Sequence, residues 1–391
     1  MQTVGILMLL EGVVASAPPR YRFDRLCAVL HGWRGFGFRY VVDTVRYSDD
    51  EPELERRFAA LADGRYAQLW LIGTGQEVDE GRVIGKRLAP AHRETIEAFM
   101  RRGGGVFATG DHAGVGATLC STIARVRRMR SWSGPPSEGG PDRIDTQVAS
   151  AWPQRRGRIV RQGTGGGPLV NLNAMDLRVV HPLDEDDAMK TVWPTLVGGR
   201  PHPLMQIATG GDWPPAAIRF LPDHGHEGEC WEHVSDDALH DEFQGVAPMV
   251  VAWGAATGHD APSAGRPRVY GAVACHEPVD AGLGRVVVDS TFHHLTDENT
   301  ELPRLTPAWY HVEQYVLNAA AWLTAAQAGD AARAFLARNG AALPDAGLKA
   351  TVASNGWRRA VELAAEARIP RDLLPDLLGL HTTTAPATRI A

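Results

Sequence analysis

A chain of 391 residues that is 44% hydrophobic and 22% charged is made like an ordinary folded protein, large enough for one big domain with insertions or for two domains. Its formal net charge of −6 supplies no basic field for wrapping nucleic acid. Four scattered cysteines (Cys27, Cys120, Cys230 and Cys275) without a C-x-x-C pair argue against a disulfide framework or a cysteine zinc cluster, and fit reduced thiols in a cytoplasm.

The first predicted element is a strand, Val4–Leu10. The same residues followed by "ASA" allow an exported protein with residues 1–16 as a signal peptide. No Lys or Arg precedes the apolar run and Glu11 interrupts it, so a strand in a cytoplasmic protein is the expectation. Helical Tyr21–His31, strand Phe38–Tyr47, helical Glu51–Ala62, strand Ala67–Gly73, helical Pro90–Gly103 and strand Gly105–Gly110 follow. Such alternation with short connections predicts a parallel sheet covered on both faces, with ligands at the C-terminal edge of the strands. Two glycine-rich tips fall there: Gly73-Thr-Gly75-Gln and Gly110-Asp111-His112.

Next comes the basic run Arg125–Arg130, read as a solvated helix face or loop, with an anion-binding lid as the lesser reading. From about Ser131 to Gln244, Gly, Pro and Trp replace the regular pattern, which marks a loop-rich insertion over the sheet edge. Ala247–Ala255 and Arg268–Cys275 read as a hairpin, Gly284–His294 as a buried strand, and Tyr310–Ala326 as a helix. The predicted organisation is one α/β domain over residues 1–326, with the insertion at 131–245, and a small helical tail at 327–391. No segment outside the N-terminal run approaches the length of a membrane span.

Several motifs fail. The stretch around Gly81–Arg87 lacks the spacing and the Ser or Thr of a phosphate-binding loop, no G-x-G-x-x-G follows the first strand, and no nucleotide cofactor is expected. There is no G-x-S-x-G elbow. Cys275-His276-Glu277 lies on an extended chain, where adjacent side chains point to opposite faces, so the three form no relay.

Three constellations survive. In the first, the bend after Gly105–Gly110 raises His112 beside Asp111, with Gly110 and Gly114 permitting a tight turn into a helix. His112 is there either a site residue or a cap on that helix. In the second, the stretch Pro222–His233 gathers His224, His226, Glu227 and Glu229. Imidazole with carboxylate suits a divalent metal such as zinc, manganese or iron, a metal-free acid/base pair, or a solvated polar loop. The third follows an apolar strand, which delivers Asp289, His293 and His294 to the ligand edge, the arrangement in which a carboxylate orients a general base.

On these residues the chain resembles the class I glutamine-amidotransferase-like superfamily, and within it the ThuA-like trehalose-utilisation branch. "LWLIGTG" is similar to the loop that helps form that family's oxyanion hole, "GVFATGDHAG" to its nucleophile-elbow strand, and "GRVVVDSTFHHLTDE" to its late strand ending in Phe-His-Pro-Glu. The resemblance covers roughly residues 1–125 and 245–326. It implies a flavodoxin-like doubly wound sheet. It also sets His112 where the family's cysteine stands and His293 where its histidine stands, with His294 replacing the Pro and Asp297 or Glu298 near the usual Glu. Without the thiol, glutamine hydrolysis through a thioester is not available.

The expectation is an enzyme of hydrolase or isomerase/lyase type, acting on a small polar, sugar-related molecule. His112, Asp111, His293, His294 and Asp289 would be catalytic. Gly73, Gly75 and Gly110 would offer backbone donors, and His224, His226, Glu227 and Glu229 would hold any divalent ion. The expected partner is a small-molecule substrate, alone or with a second copy of the chain. Two rivals stand beside it: a non-catalytic binding or scaffold protein on the same fold, and a cysteine hydrolase using Cys120 or Cys230.

Overall fold

The computed structural model describes residues 2–11, 22–35, 38–47, 51–75, 85–111, 114–132, 188–191, 193–194, 196–197, 200–207, 218, 220–223, 228–232, 234–256, 268–279, 282–297 and 307–324. In chain order the elements are β1 (Gln2–Leu10), α1 (Asp24–Gly32), β2 (Arg34–Gly35), β3 (Phe38–Arg46), α2 (Glu51–Ala62), β4 (Gln68–Ile72), α3 (Pro90–Arg101), β5 (Gly105–Thr109) and α4 (Ala117–Cys120). After these come β6 (Ala188–Thr191), β7 (Trp193–Pro194), β8 (Leu196–Val197), β9 (Arg200–Pro201), β10 (Phe220–Asp223), α5 (Asp236–Asp241), β11 (Met249–Ala256), β12 (Arg268–His276), β13 (Val286–Asp289) and α6 (Pro307–Thr324).

The sheet runs β2-β3-β1-β4-β5-β13-β12-β11-β7. Its centre, β3-β1-β4-β5-β13, is parallel. Taken in chain order, those five strands lie second, first, third, fourth, fifth, which is the flavodoxin-like doubly wound order. The direction of winding reverses between β1 and β4, and that crevice is where open α/β sheets admit ligands. Beyond β13 the sheet continues antiparallel through the β12–β11 hairpin.

Period two explains why these strands are buried on both faces. Along β1, Val4, Ile6 and Met8 join one core while Leu7 and Leu9 join the other; along β5, Phe107 faces the first and Val106 and Ala108 the second. The first core takes Leu26 and Leu30 of α1 with Tyr315, Ala319 and Trp322 of α6, and Trp70 stacks on Phe107 at 4.5 Å inside it. The second takes Leu54, Phe58 and Leu61 of α2 with Ile96, Phe99 and Met100 of α3.

One expectation is met in a shorter form and one needs correction. The helix after the β5 bend is only the four residues of α4, because Gly116 before it is left-handed at φ 90° and Arg125 soon after it at φ 67°. The basic run is not a solvated face: Arg125 and Arg130 are buried, and only Arg127 and Arg128 reach outward, to Glu242. Within the insertion, β6 pairs with β10, β8 with β9, and β7 joins the sheet edge on β11. The tail at 327–391 lies outside the described residues. Among those described, no helix is long and apolar enough to cross a membrane.

Candidate functional site

The C-terminal ends of β5 and β13 lie side by side, so Asp111 and the run Asp289–His294 meet although some 180 residues separate them. Just past β13 the chain closes into a 3-10 turn, Phe292–Leu295. Thr291 caps it: its hydroxyl accepts from the His293 N–H at 3.1 Å and donates to Asp111 Oδ1 at 2.9 Å. That leaves Asp111 Oδ2 facing His293, whose Nε2 lies 3.7 Å away, which is electrostatic range rather than a formed hydrogen bond. The His293 ring lies nearly flat on Phe292, with centroids 4.5 Å apart, which fixes its plane.

A second pair lies deeper. His294 Nδ1 is 2.7 Å from Asp289 Oδ1, and the Tyr315 hydroxyl of α6 donates to Asp289 Oδ2 at 2.6 Å. Burial, then the neighbouring Asp289, holds the Tyr315 phenol well above its usual range, so it stays a donor. All of these side chains are buried, with His293 the least so at 5% exposure.

Arg130 joins the two halves. Its guanidinium donates to the carbonyls of Asp111 at 2.6 Å, Ser290 at 2.7 Å and Ser131 at 2.8 Å, and lies over the Trp132 ring at 4.5 Å. Burial pulls its pKa down while Cys230, Asp111, Cys120 and Asp289 push it back up. Gly228 packs against this guanidinium and donates its N–H to Ser290 O at 3.0 Å, carrying the insertion across the end of β13.

Asp111, Asp289, His293 and His294 converge at the edge of β5 and β13. His112, His224, His226 and Glu227 lie outside the described residues; Glu229 is buried beside Gly228, its carbonyl accepting from Ser131 N at 2.9 Å. Among the described residues no group of three or more His, Cys, Asp or Glu gathers as metal ligands.

Two of the three glycines spend their N–H groups inside the protein. The Gly73 N–H is spent on Thr109 O at 2.9 Å and the Gly75 N–H on the Glu11 carboxylate at 3.3 Å. Gly110 gives its carbonyl to Phe292 N at 2.7 Å. Their use is close approach: a Cβ on Gly73 would collide with the backbone of Gly116, and one on Gly110 with Val115 O. Asp297 is also elsewhere, accepting from Arg25 N at 2.7 Å at the start of α1.

The Cys275-His276-Glu277 run splits as an extended chain requires. Cys275 Sγ lies 3.7 Å from His202 Nε2, His276 Nδ1 3.3 Å from Arg125, and Glu277 pairs with Arg285. Burial lowers His202 to about 3, keeping that imidazole neutral. Burial also drives the Cys120 and Cys230 thiols far up, the reverse of what a nucleophilic thiolate needs.

The sequence reading missed Thr291, Tyr315, Arg130 and Glu11. Arg130 meets Ser290, 160 residues away in the chain, and Tyr315 meets Asp289, 26 residues away, with no local motif to announce either contact. Glu11 did carry a signal, a charge at the end of an apolar strand.

No protein-family model matches this chain, and no curated protein is similar to it. Among solved structures, a cytoplasmic protein from Salmonella typhimurium is similar, with 10% identity, a TM-score of 0.33, and coverage of 80% of this chain and 97% of its own.

Proposed function

We propose that the chain is a ThuA-like, amidotransferase-fold enzyme that carries out acid/base chemistry, of hydrolase or isomerase/lyase type, on a small polar, sugar-related molecule. The observation that carries this reading is the His293–Asp111 pair at the C-terminal edge of the parallel sheet, with the Thr291 hydroxyl occupying the carboxylate oxygen that does not face the imidazole. In this reading His293 takes a proton from, or gives one to, a substrate oxygen or carbon. Asp111 fixes the ring's orientation and stabilises the imidazolium that forms. Thr291 keeps Asp111 aimed, and Arg130 holds the ends of β5 and β13 at fixed separation. The His294–Asp289–Tyr315 chain positions the 3-10 turn from below.

The test is incubation with a panel of aldoses, keto-sugars and sugar esters in deuterated water, followed by proton NMR. Deuterium entering a carbon next to a carbonyl, or release of an acid from an ester, reports turnover. His293→Ala and Asp111→Asn should each cut it by roughly 10²–10⁴-fold, and thiol alkylation should leave it intact. Turnover that survives His293→Ala would sink the reading. A divalent ion on His224, His226, Glu227 and Glu229 belongs to the same proposal and has its own check: elemental analysis of protein purified without chelator, against His224→Ala/His226→Ala.

The burial of His294, Asp289 and Tyr315 favours a second reading, in which the polar network only braces a binding or scaffold protein. In that case ligand affinity changes by no more than a few-fold in His293→Ala, and none of the panel turns over.

A further inference from the structure

Glu11 ends β1 at the crevice where the sheet reverses its winding, and its side chain is fully buried. The Thr118 hydroxyl of α4 donates to its Oε1, and the Gly75 N–H donates to its Oε2 at 3.3 Å. Its backbone N–H donates to Ile72 O at 3.1 Å and its carbonyl accepts from the Thr74 hydroxyl. Gly75 O in turn accepts from Gly116 N at 2.6 Å, and Asp111 N donates to Val115 O at 3.0 Å. One carboxyl thus ties the end of β1 to the loop after β4 and to the turn that closes the Asp111 bend.

The fit leaves no slack. A Cβ on Gly75 would stand 2.7 Å from Gly85 Cα and 2.9 Å from Glu11 Cδ. The titratable groups around the carboxyl are Tyr47 at the end of β3, with His92 and Glu55 behind it and Lys86 over its ring, and Cys120 on α4. Among the described residues Glu11 makes no ion pair, so only neutral donors hold it. A buried carboxylate held that way is poorly compensated, whereas the protonated acid is at ease there.

We propose that Glu11 is a positioning residue of the crevice, and that one proton on its carboxyl decides whether the loop after β4 and the turn bearing Gly116 stay clasped to the end of β1. The clasp depends on the enzyme reading only for what it serves, the register of the Asp111 bend with the ligand crevice. Burial raises the Glu11 carboxyl to about 7, against the lowering effect of Thr118 and Gly75, so the clasp operates in the neutral range. Protonated, it stays shut; ionised, the charge draws water in and the three segments part locally.

Amide hydrogen exchange, corrected for its intrinsic pH dependence, tests this without any substrate. In the native chain, protection of residues 73–75 and 114–120 should fall about tenfold or more between about pH 6 and pH 8.5, while residues 40–45 of β3 stay unchanged. Glu11→Gln, which keeps one acceptor oxygen, carries an N–H donor where the neutral acid carries its O–H, and cannot ionise, should show a flat profile. Thr118→Val removes a donor to the carboxylate and should move the midpoint to higher pH. A flat native profile, or a Glu11→Gln profile that follows the native one, overturns the proposal. Should Glu11→Gln not fold, an unmoved midpoint in Thr118→Val overturns it. Because exchange reads the clasp alone, its failure is distinct from a failure of the His293 turnover test.

Discussion

Two buried acidic centres share one edge of the sheet and are built in opposite ways. At the ends of β5 and β13, Asp111 and Asp289 face two imidazoles, and the Arg130 guanidinium lies between the strand ends. At the end of β1, the Glu11 carboxyl meets, among the described residues, only a hydroxyl and an amide. The first centre has charge with which to stabilise charge, which is what the proposed proton transfer at His293 would need. The second has none, and so either holds its proton or comes apart. The difference teaches that burial alone does not decide what a carboxyl can do; the charges and donors around it do.

The comparison is broken most forcefully at Arg130. Arg130→Met strands the carbonyls of Asp111 and Ser290 and leaves the buried carboxylates nearby without their cation. Unfolding in urea should show a loss of about 3–5 kcal/mol. Arg130→Lys should recover only part, since an ammonium cannot reproduce the planar fork that reaches both strand ends. A loss under about 1 kcal/mol in Arg130→Met would mean that the guanidinium is not the brace described above.

Glu11→Gln sharpens the other side. The folded carboxyl titrates at about 7 against an ordinary 4.5. An acid whose folded pKa is raised contributes stability that is complete below about pH 4.5 and is lost as pH rises through about 7. Relative to Glu11→Gln, the native chain should therefore lose about 3 kcal/mol between about pH 5 and pH 9. Parallel stability curves for the two proteins over that range would refute the assignment.

Much of this was legible in the sequence. The alternation from Val4 to Gly110 predicts the parallel half, because a strand buried on both faces writes a continuous apolar run and its crossover helix an amphipathic one. Gly284–His294 likewise predicts that β13 delivers Asp289, His293 and His294 to the edge. The basic run was opaque because burial of Arg130 depends on carbonyls supplied by β5 and β13, the second of them 160 residues away. Glycine misled for a related reason. Gly73 and Gly75 read as ligand donors, while their N–H groups are claimed by Thr109 and Glu11 and their missing Cβ atoms by neighbouring backbone. Local pattern reports where a strand ends, not what closes over its end.

Tyr315→Phe separates the two histidine pairs. Removing the hydroxyl leaves Asp289 Oδ2 without its donor at 2.6 Å and should cost about 1.5–3 kcal/mol, the range for a hydrogen bond to a charged group. If the His294–Asp289 pair only braces the turn, the turnover carried by His293–Asp111 persists in the folded fraction. A turnover loss as large as that of His293→Ala would move catalysis to the deeper pair.

The smallest effect comes from an arginine with equally good partners in a wetter place. Arg57 donates to Glu53 Oε1 at 2.6 Å, Asp43 Oδ2 at 2.6 Å and the Tyr66 hydroxyl at 2.9 Å, so by bond count it matches Arg130. Its side chain is 29% exposed and Asp43's 37%, so water can replace each bond as it is lost. Arg57→Met should cost about 0.2–1 kcal/mol, and less in high salt. If instead it costs as much as Arg130→Met, bond number rather than burial sets the energy of a guanidinium in this fold, and the contrast between the two centres loses its physical basis.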